Sequence, residues 1–352
     1  MRMAFRTAIF AAMLFMAAFD AEAFSKTISS SLGREVADRT VELVESHGLY
    51  PRRQGEYAQA KTALFAVFDG RPLEIDREEF YARIISMLET LDTNGHTFLI
   101  RAHQKLAVQR NQTLPNDLPP PMFQLLQTSK GTVLRWTPPP IVEGSASATE
   151  LYLKHFYDEA ETMPNISQAC ALVVDLSEQS GGNAWPPLVA MHPLFGMVNK
   201  AMWVDRDGKR TTFVNRTGLE GLNRTFAEGR SNPLSRFSSG LLAVVASKRT
   251  SSAGEMLLIA LLGEARVQTF GNTSSGLTTA NAAHPLPDGS TLVLTVARYA
   301  LGDGPVFRGG IRPMHQGDPG ESQVNVVASA AEWVAANSPR CGSTEHNVTA
   351  TE

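Results

Sequence analysis

Apolar residues recur three and four positions apart in VADRTVELVESHGLY (36–50) and FYARIISMLETL (80–91), the spacing that places them on one face of a helix. Residues 24–100 therefore read as a small N-terminal helical domain. The texture then changes. NQTLPNDLPPPMFQ (111–124) and RWTPPPIVEGSAS (135–147) carry much of the proline around a strand-like GTVLRW (131–136). Residues 101–165 thus read as a proline-rich connecting segment laid over the surface of the main domain. From about Ala169, short β-branched runs alternate with helical ones. CALVVDL (170–176), LLAVVAS (241–247) and STLVLTVARY (290–299) read as strands, whereas PPLVAMHPLFG (186–196) and AGEMLLIALLGE (253–264) read as helices. That alternation predicts an α/β core over 166–340. Residues 341–352 end in STEHNVTATE and read as a polar tail.

Composition narrows the class. The 352 residues carry a formal net charge of -3, with 43% hydrophobic and 19% charged side chains, as in ordinary globular chains. With no basic surface to neutralise phosphates and no Lys/Arg run interleaved with aromatics, nucleic acid is excluded as a partner. MRMAFR, then TAIFAAMLFMAAF, then DAEA have the basic, apolar and small-residue layout of a secretory signal peptide ending at Ala23. A membrane anchor is the competing reading, but the apolar run is short for a bilayer and ends in Asp20 and Glu22. The mature chain is expected to have no integral membrane segment and to be exported, periplasmic or secreted. In an oxidising compartment the two cysteines, Cys170 and Cys341, predict a disulfide rather than a metal site.

The segment LLAVVASKRTSSAGEMLLIALLGE (241–264) is a buried strand, a polar turn and a helix beginning at Ser252. A serine there displays its hydroxyl on a sharp turn while the first helical N–H groups face whatever is bonded to it. It also fits a plain N-cap, the commonest use of serine before a helix. In CALVVDLSEQSGGN (170–183) a strand runs into a glycine turn at Gly181 and Gly182, which lets backbone approach a ligand and offers another donor. ETLDTNGHTFLI (89–100) places His96 after Asn94 and Gly95, where it could act as general base or simply sit at the surface. Trp185 follows the glycine turn and reads equally as cleft lining or as core.

Taken together, LDTNGHT (91–97), VDLSEQSGGN (174–183), TSSAGE (250–255) and GNTSSGLT (271–278) resemble, in the same order, the tail-specific or C-terminal processing peptidases. The resemblance extends to about Pro313. It implies a Clp protease/crotonase-like core of β-β-α units and a serine peptidase acting on peptide or protein substrates, with no cofactor and no metal. Ser252, three places before Glu255, takes the position of the family's nucleophile. The N–H groups of Gly181 and Ala253 take the positions of its oxyanion hole. Relatives with a Ser/Lys dyad carry lysine where this chain has Leu277, so the resemblance points to the histidine-dependent, tricorn-like branch, which includes interphotoreceptor retinoid-binding proteins, with His96 as base. No insertion of PDZ size separates His96 from the Asp175 strand. For the group that orients His96 the candidates are Asn94, Glu255 and Asp303. Two rival readings go with the same motifs: a non-catalytic ligand- or peptide-binding module on this fold, and an esterase-type acyl hydrolase.

Overall fold

In the computed structural model the described residues are 25–49, 51, 53–91, 94–104, 122–141, 146–318 and 320–342. Residues 1–23, expected to be a signal peptide, and the tail beyond Gly342 lie outside them, as do Asp92 and Thr93 of the LDTNGHT motif. The chain divides into two compact units, one of Met1–Thr113 with Asn281–Ala297, the other of Leu114–Ala280 with Arg298–Glu352.

In the first unit, β1 (Thr27–Ser29) pairs antiparallel with β2 (Glu74–Asp76), flanking helices α1 (Ser30–His47) and α2 (Gln54–Phe65). The next helix, α3 (Arg77–Glu89), starts where the Asp76 carboxylate caps the Glu79 N–H at 2.8 Å, satisfying one of the donors that a helix start leaves open. The periodic residues Val36, Val41 and Val44 of α1 and Phe80, Ile84 and Met87 of α3 are buried together, as their spacing predicts. Strand β3 (Phe98–Ile100) follows. Leu292 and Leu294, from a segment almost 200 positions later, complete this core, and Thr291–Val293 pair antiparallel with Phe98–Ile100. Tyr81 donates to the buried Asp288, whose other oxygen accepts from Ser290 N (3.1 Å) and closes the turn of that late segment. Periodicity along 24–100 carries no trace of this contribution, because pairing between distant strands leaves no local pattern.

The second unit is built on a six-stranded sheet. Its strands, in chain order, are β4 (Met122–Thr128), β5 (Gly131–Thr137), β6 (Ala171–Asp175), β9 (Leu242–Ala246), β10 (Val267–Gly271) and β13 (His315–Gln316). The spatial order is β13-β10-β9-β6-β5-β4, parallel throughout except for β4, which is antiparallel to β5. Every residue of β6 and β9 is buried, which explains their unbroken apolar runs: a parallel strand covered on both faces has no polar side to show. On one face Leu134, Leu172, Val174, Leu242 and Val244 join a core with α4 (Ala146–Thr162), α5 (Trp185–Ala190), α6 (Arg216–Phe226) and α7 (Ala253–Leu262). On the other, Val133, Val173, Ala243 and Val245 pack against Val326, Val327, Ala330 and Val334 of α8 (Gln323–Asn337). The alternation of neighbours between two cores follows from the period of two in a strand. β7 (Ala201–Asp205) pairs antiparallel with β8 (Arg210–Thr212), while β11 (Thr279–Pro285) starts and β12 (Thr291–Leu301) ends in this unit, their residues within 281–297 belonging to the first.

Residues 101–165 depart from the connecting segment expected of them. Met122–Thr128 and Gly131–Thr137 form two strands of the main sheet and Ala146–Thr162 a core helix, with Trp136, Tyr152 and Phe156 fully buried. The strand-like GTVLRW lies in β5, which pairs antiparallel with β4, and the described prolines Pro138–Pro140 follow its end.

Cys170 and Cys341 form a disulfide, with Cα atoms 5.1 Å apart across 171 residues of chain. It ties the end of α8 to the start of β6, beside the Ser338 Oγ bond to the Cys170 carbonyl at 3.2 Å. Closing so long a loop removes much of the unfolded chain's freedom. Reduction or Cys341→Ser is expected to cost ~2–5 kcal/mol, read as a lower denaturant midpoint under reducing conditions; an unchanged midpoint contradicts it.

Candidate active site

Strands β6, β9 and β10 run parallel, so their carboxyl ends share one edge of the sheet, where α/β folds place their sites. Three turns leave that edge, at 176–184, 247–252 and 272–278, and polar bonds join them. Thr250 is fully buried; its Oγ1 donates to the Leu176 carbonyl at 2.8 Å and accepts from Ser247 N at 2.9 Å. Ser247 Oγ donates to the Ser177 carbonyl (2.6 Å), and the Ser275 N–H to the Thr250 carbonyl (2.9 Å). Asp175, at the end of β6, is held by Arg135 Nε at 3.0 Å and accepts from Ser177 N at 2.9 Å.

Ser252 stands at the joint between this turn and α7, with φ +51° and ψ −109°. Such a left-handed conformation costs a non-glycine residue about 1–3 kcal/mol and persists only where surrounding bonds enforce it. Glu255 supplies the first of them, accepting from Ser252 N at 3.2 Å. Its carboxylate also accepts from Ser274 Oγ (2.5 Å), Gly276 N (2.8 Å) and Ser275 Oγ (3.4 Å), so one buried acid pins the start of α7 to the 272–278 turn. Burial pushes its carboxyl above the usual carboxylate range, and the four donors pull it back. Glu255→Gln presents an amide donor to groups that are themselves donors. The expected loss is roughly 1–3 kcal/mol of stability, read by denaturant unfolding; a variant as stable as the parent contradicts the pinning role.

Gly181 (φ +127°) faces Ser252: a Cβ built on it would lie 3.3 Å from Ser252 Cβ and 3.8 Å from Ser252 Oγ. Gly182 is pressed on backbone, since a Cβ there would lie 2.0 Å from the Ile141 carbonyl oxygen, so only glycine fits. The N–H of Ala253, first residue of α7, has no acceptor within its own helix. By contrast the Gly181 N–H is engaged, donating to Gln179 Oε1 at 3.2 Å. Trp185 is 43% exposed and meets Trp203 edge-on at 6.2 Å, heading a row that continues through Phe213 to the buried Tyr299.

The second unit thus gathers Gly181, Gly182, Ser252, Ala253 and Glu255. Asp303 belongs to the same unit, exposed on the turn after β12. The first unit holds His96 and Asn94. Asn94 (φ +53°) and Gly95 (φ +75°) make a left-handed turn after α3 with Asn94 exposed. His96 follows, 6% exposed; its carbonyl accepts from Asn281 Nδ2 at 2.8 Å, while Thr97 Oγ1 accepts from Thr295 N at 3.0 Å. Burial alone lowers the imidazole pKa from 6.5 to about 4, because a cation is poorly solvated there. Gln179, Thr250 and Ser274 lie inside the four motifs of the resemblance but take no role from it, and Ser247 lies outside them. Nothing in a polar loop shows which of its side chains turn inward; only their placement beside the glycines would have pointed to them.

Residues 142–315, just under half of the chain, match the model of peptidase family S41. The nisin-resistance protein of Lactococcus lactis subsp. lactis is 26% identical over 163 residues, 46% of this chain and 49% of that protein. The chain thus aligns with about half the length of this curated relative. A lipoprotein from Streptococcus agalactiae has the same fold, with TM-score 0.63 and 20% identity over 88% of this chain and 97% of that one. The photosystem II D1 C-terminal processing protease is similar at TM-score 0.56 and 14% identity, covering 87% and 98%. The core therefore has the mixed α/β, Clp protease/crotonase-like fold of S41 peptidases.

Proposed function

We propose, from the match of residues 142–315 to peptidase family S41, that this chain is an exported serine peptidase whose nucleophile is Ser252 and whose general base is His96. The observation that carries the reading is the strained joint at Ser252: an outlying backbone, held by Glu255, with Gly181 against the side chain. Strain of this sort is retained where it serves a reaction.

In this mechanism neutral His96 takes the proton of Ser252 Oγ as the oxygen attacks a peptide carbonyl. The carbonyl oxygen becomes negative and is held by the N–H groups of Ala253 and Gly181, with the N-terminal end of α7 adding its dipole. The protonated imidazole then gives its proton to the leaving amine as the C–N bond breaks. Water, deprotonated by the same histidine, releases the acyl group and restores Ser252. The low pKa of His96 keeps it in the neutral form the first step needs. For the residue that orients it, Asn94 is the nearest candidate in sequence and shares its turn, whereas the carboxylate of Glu255 is already committed to four donors. Leu277, which cannot take a proton, supports histidine rather than lysine as base. Export is supported by the pattern of residues 1–23, by the disulfide, and by the lipoprotein description of the Streptococcus relative. No helix among the described residues is long and apolar enough to cross a membrane. The substrate class is a peptide or protein.

One observation favours the binding-module reading instead: the Gly181 N–H is already taken by Gln179. A fluorophosphonate probe separates the two. The peptidase reading expects stoichiometric labelling, with the adduct on Ser252 by peptide mass mapping. Intact protein that stays unlabelled where a reference serine hydrolase reacts fully would overturn it. Ester turnover without cleavage of any peptide in a diverse library would favour the esterase reading.

A further inference from the structure

We propose that Gln179 is a positioning residue that fills the oxyanion hole from within and yields it only to a developing negative charge. This inference rests on the assignment of Ser252 as nucleophile and Gly181 as oxyanion donor. Gln179 is 1% exposed and lies in the turn at 176–184. Its Nε2 donates to two carbonyl oxygens, Pro139 O at 2.9 Å and Pro138 O at 3.3 Å. Those two acceptors fix which way the amide points, since the flipped orientation would set its oxygen against both carbonyls and its nitrogen against an N–H. Oε1 therefore faces Gly181 N, at 3.2 Å. The main chain of the same residue accepts from Ser251 N at 3.0 Å. It also lies so close to Gly254 that a Cβ there would come within 2.3 Å of the Gln179 oxygen. One residue thus links the end of β5, the glycine turn, the neighbour of the nucleophile and the first turn of α7.

The bond to Gly181 joins two neutral amides, whereas an oxyanion would accept the same N–H in a charge-assisted bond roughly twice as strong. A ground-state carbonyl gains little by displacing Gln179; a tetrahedral oxygen gains much. The exchange therefore favours the transition state over bound substrate, the only kind of interaction that speeds the chemical step. Gly181, with φ +127° and no side chain, has the freedom to turn its N–H from one acceptor to the other.

Gln179→Met keeps the length of the side chain and removes both its acceptor and its donors. The variant is expected to react with a fluorophosphonate ~3–10-fold faster than wild type, since the competing acceptor is gone, and to do so despite a lower unfolding temperature. Hydrogen exchange of the Gly181 amide, followed by NMR, is expected to be about tenfold faster in the variant. A side chain with only a scaffolding role predicts the opposite, labelling that slows as stability falls, and that result or an unchanged rate overturns the inference. Should Gln179→Met fail to fold, wild type decides: the Gly181 amide resonance must shift when the probe is attached at Ser252, and an unmoved resonance overturns the inference. Labelling of neither sinks the Ser252 assignment as well, an outcome distinct from a labelled wild type that Gln179 does not restrain.

Discussion

Ser252→Ala is expected to abolish fluorophosphonate labelling and to lower peptide hydrolysis by roughly 10⁴–10⁶-fold. The change removes the one atom that forms the acyl bond and leaves the oxyanion donors in place, so a small residual rate above water remains. Stability should move far less. Alanine at an N-cap costs about 1 kcal/mol, and the left-handed backbone at this joint penalises alanine as it penalises serine. Unfolding and labelling, measured on the same preparation, therefore separate chemistry from folding. Hydrolysis within tenfold of wild type in a fully folded variant would falsify the assignment. Ser251 is the neighbour to examine next, although its N–H is bound to the Gln179 carbonyl and its own carbonyl to Gly254 N.

For His96→Ala the expected loss of acylation rate is roughly 10²–10⁴-fold, while Leu277→Ala, which touches no proton, should mainly disturb packing. Equal, modest losses from both contradict the Ser/His reading. The pH dependence is more specific. A general base works unprotonated, and burial holds this imidazole neutral down to about pH 4 rather than 6.5. The acid limb of kcat/KM, which reports the free enzyme, is therefore expected near pH 4, with no inflection at 6.5. Stability follows the same linkage. Between pH 6.5 and about 4 the unfolded chain binds a proton that the folded chain does not, so folding weakens as pH falls through this window. This one group accounts for roughly 3 kcal/mol across it. An acid limb centred on 6.5 would mean either a solvated His96 or a different base. A base this weak also takes a proton reluctantly, so the acylation step should be slow at neutral pH even with every group in place.

Much of the site is legible in the chain alone. The strands at 171–175 and 242–246 announce themselves because a parallel strand covered on both faces has no choice but to be apolar along its whole length. A serine at the exit of the second, followed by a helix and preceded by a glycine-bearing turn at the exit of the first, is a local pattern. Local patterns survive in sequence. So does the disulfide, since a chain with two cysteines offers one pairing.

Other features depend on residues that meet only in three dimensions. Within 101–165, read as a proline-rich connecting segment around a strand-like GTVLRW, Met122–Thr137 supply two strands and Ala146–Thr162 a helix of the main unit, because the partners that bury them lie beyond Ala169. The late segment 281–297 belongs to the first unit, a pairing over nearly 200 positions that no window on the chain contains. Glu255 offered itself as a possible partner of the histidine; in the fold its carboxylate fixes the backbone at Ser252 and the turn at Ser274–Gly276. The bond from Gly181 to Gln179 depends on where the carbonyls of Pro138 and Pro139 come to rest, forty positions earlier, since they decide which way the glutamine amide faces. By itself, then, the sequence determined the strand-turn-helix placement of Ser252, because covalent neighbours and periodic burial dictate it. Only the tertiary structure decided which acceptor the Gly181 N–H meets, because that depends on the Gln179 amide and on the Pro138 and Pro139 carbonyls that orient it.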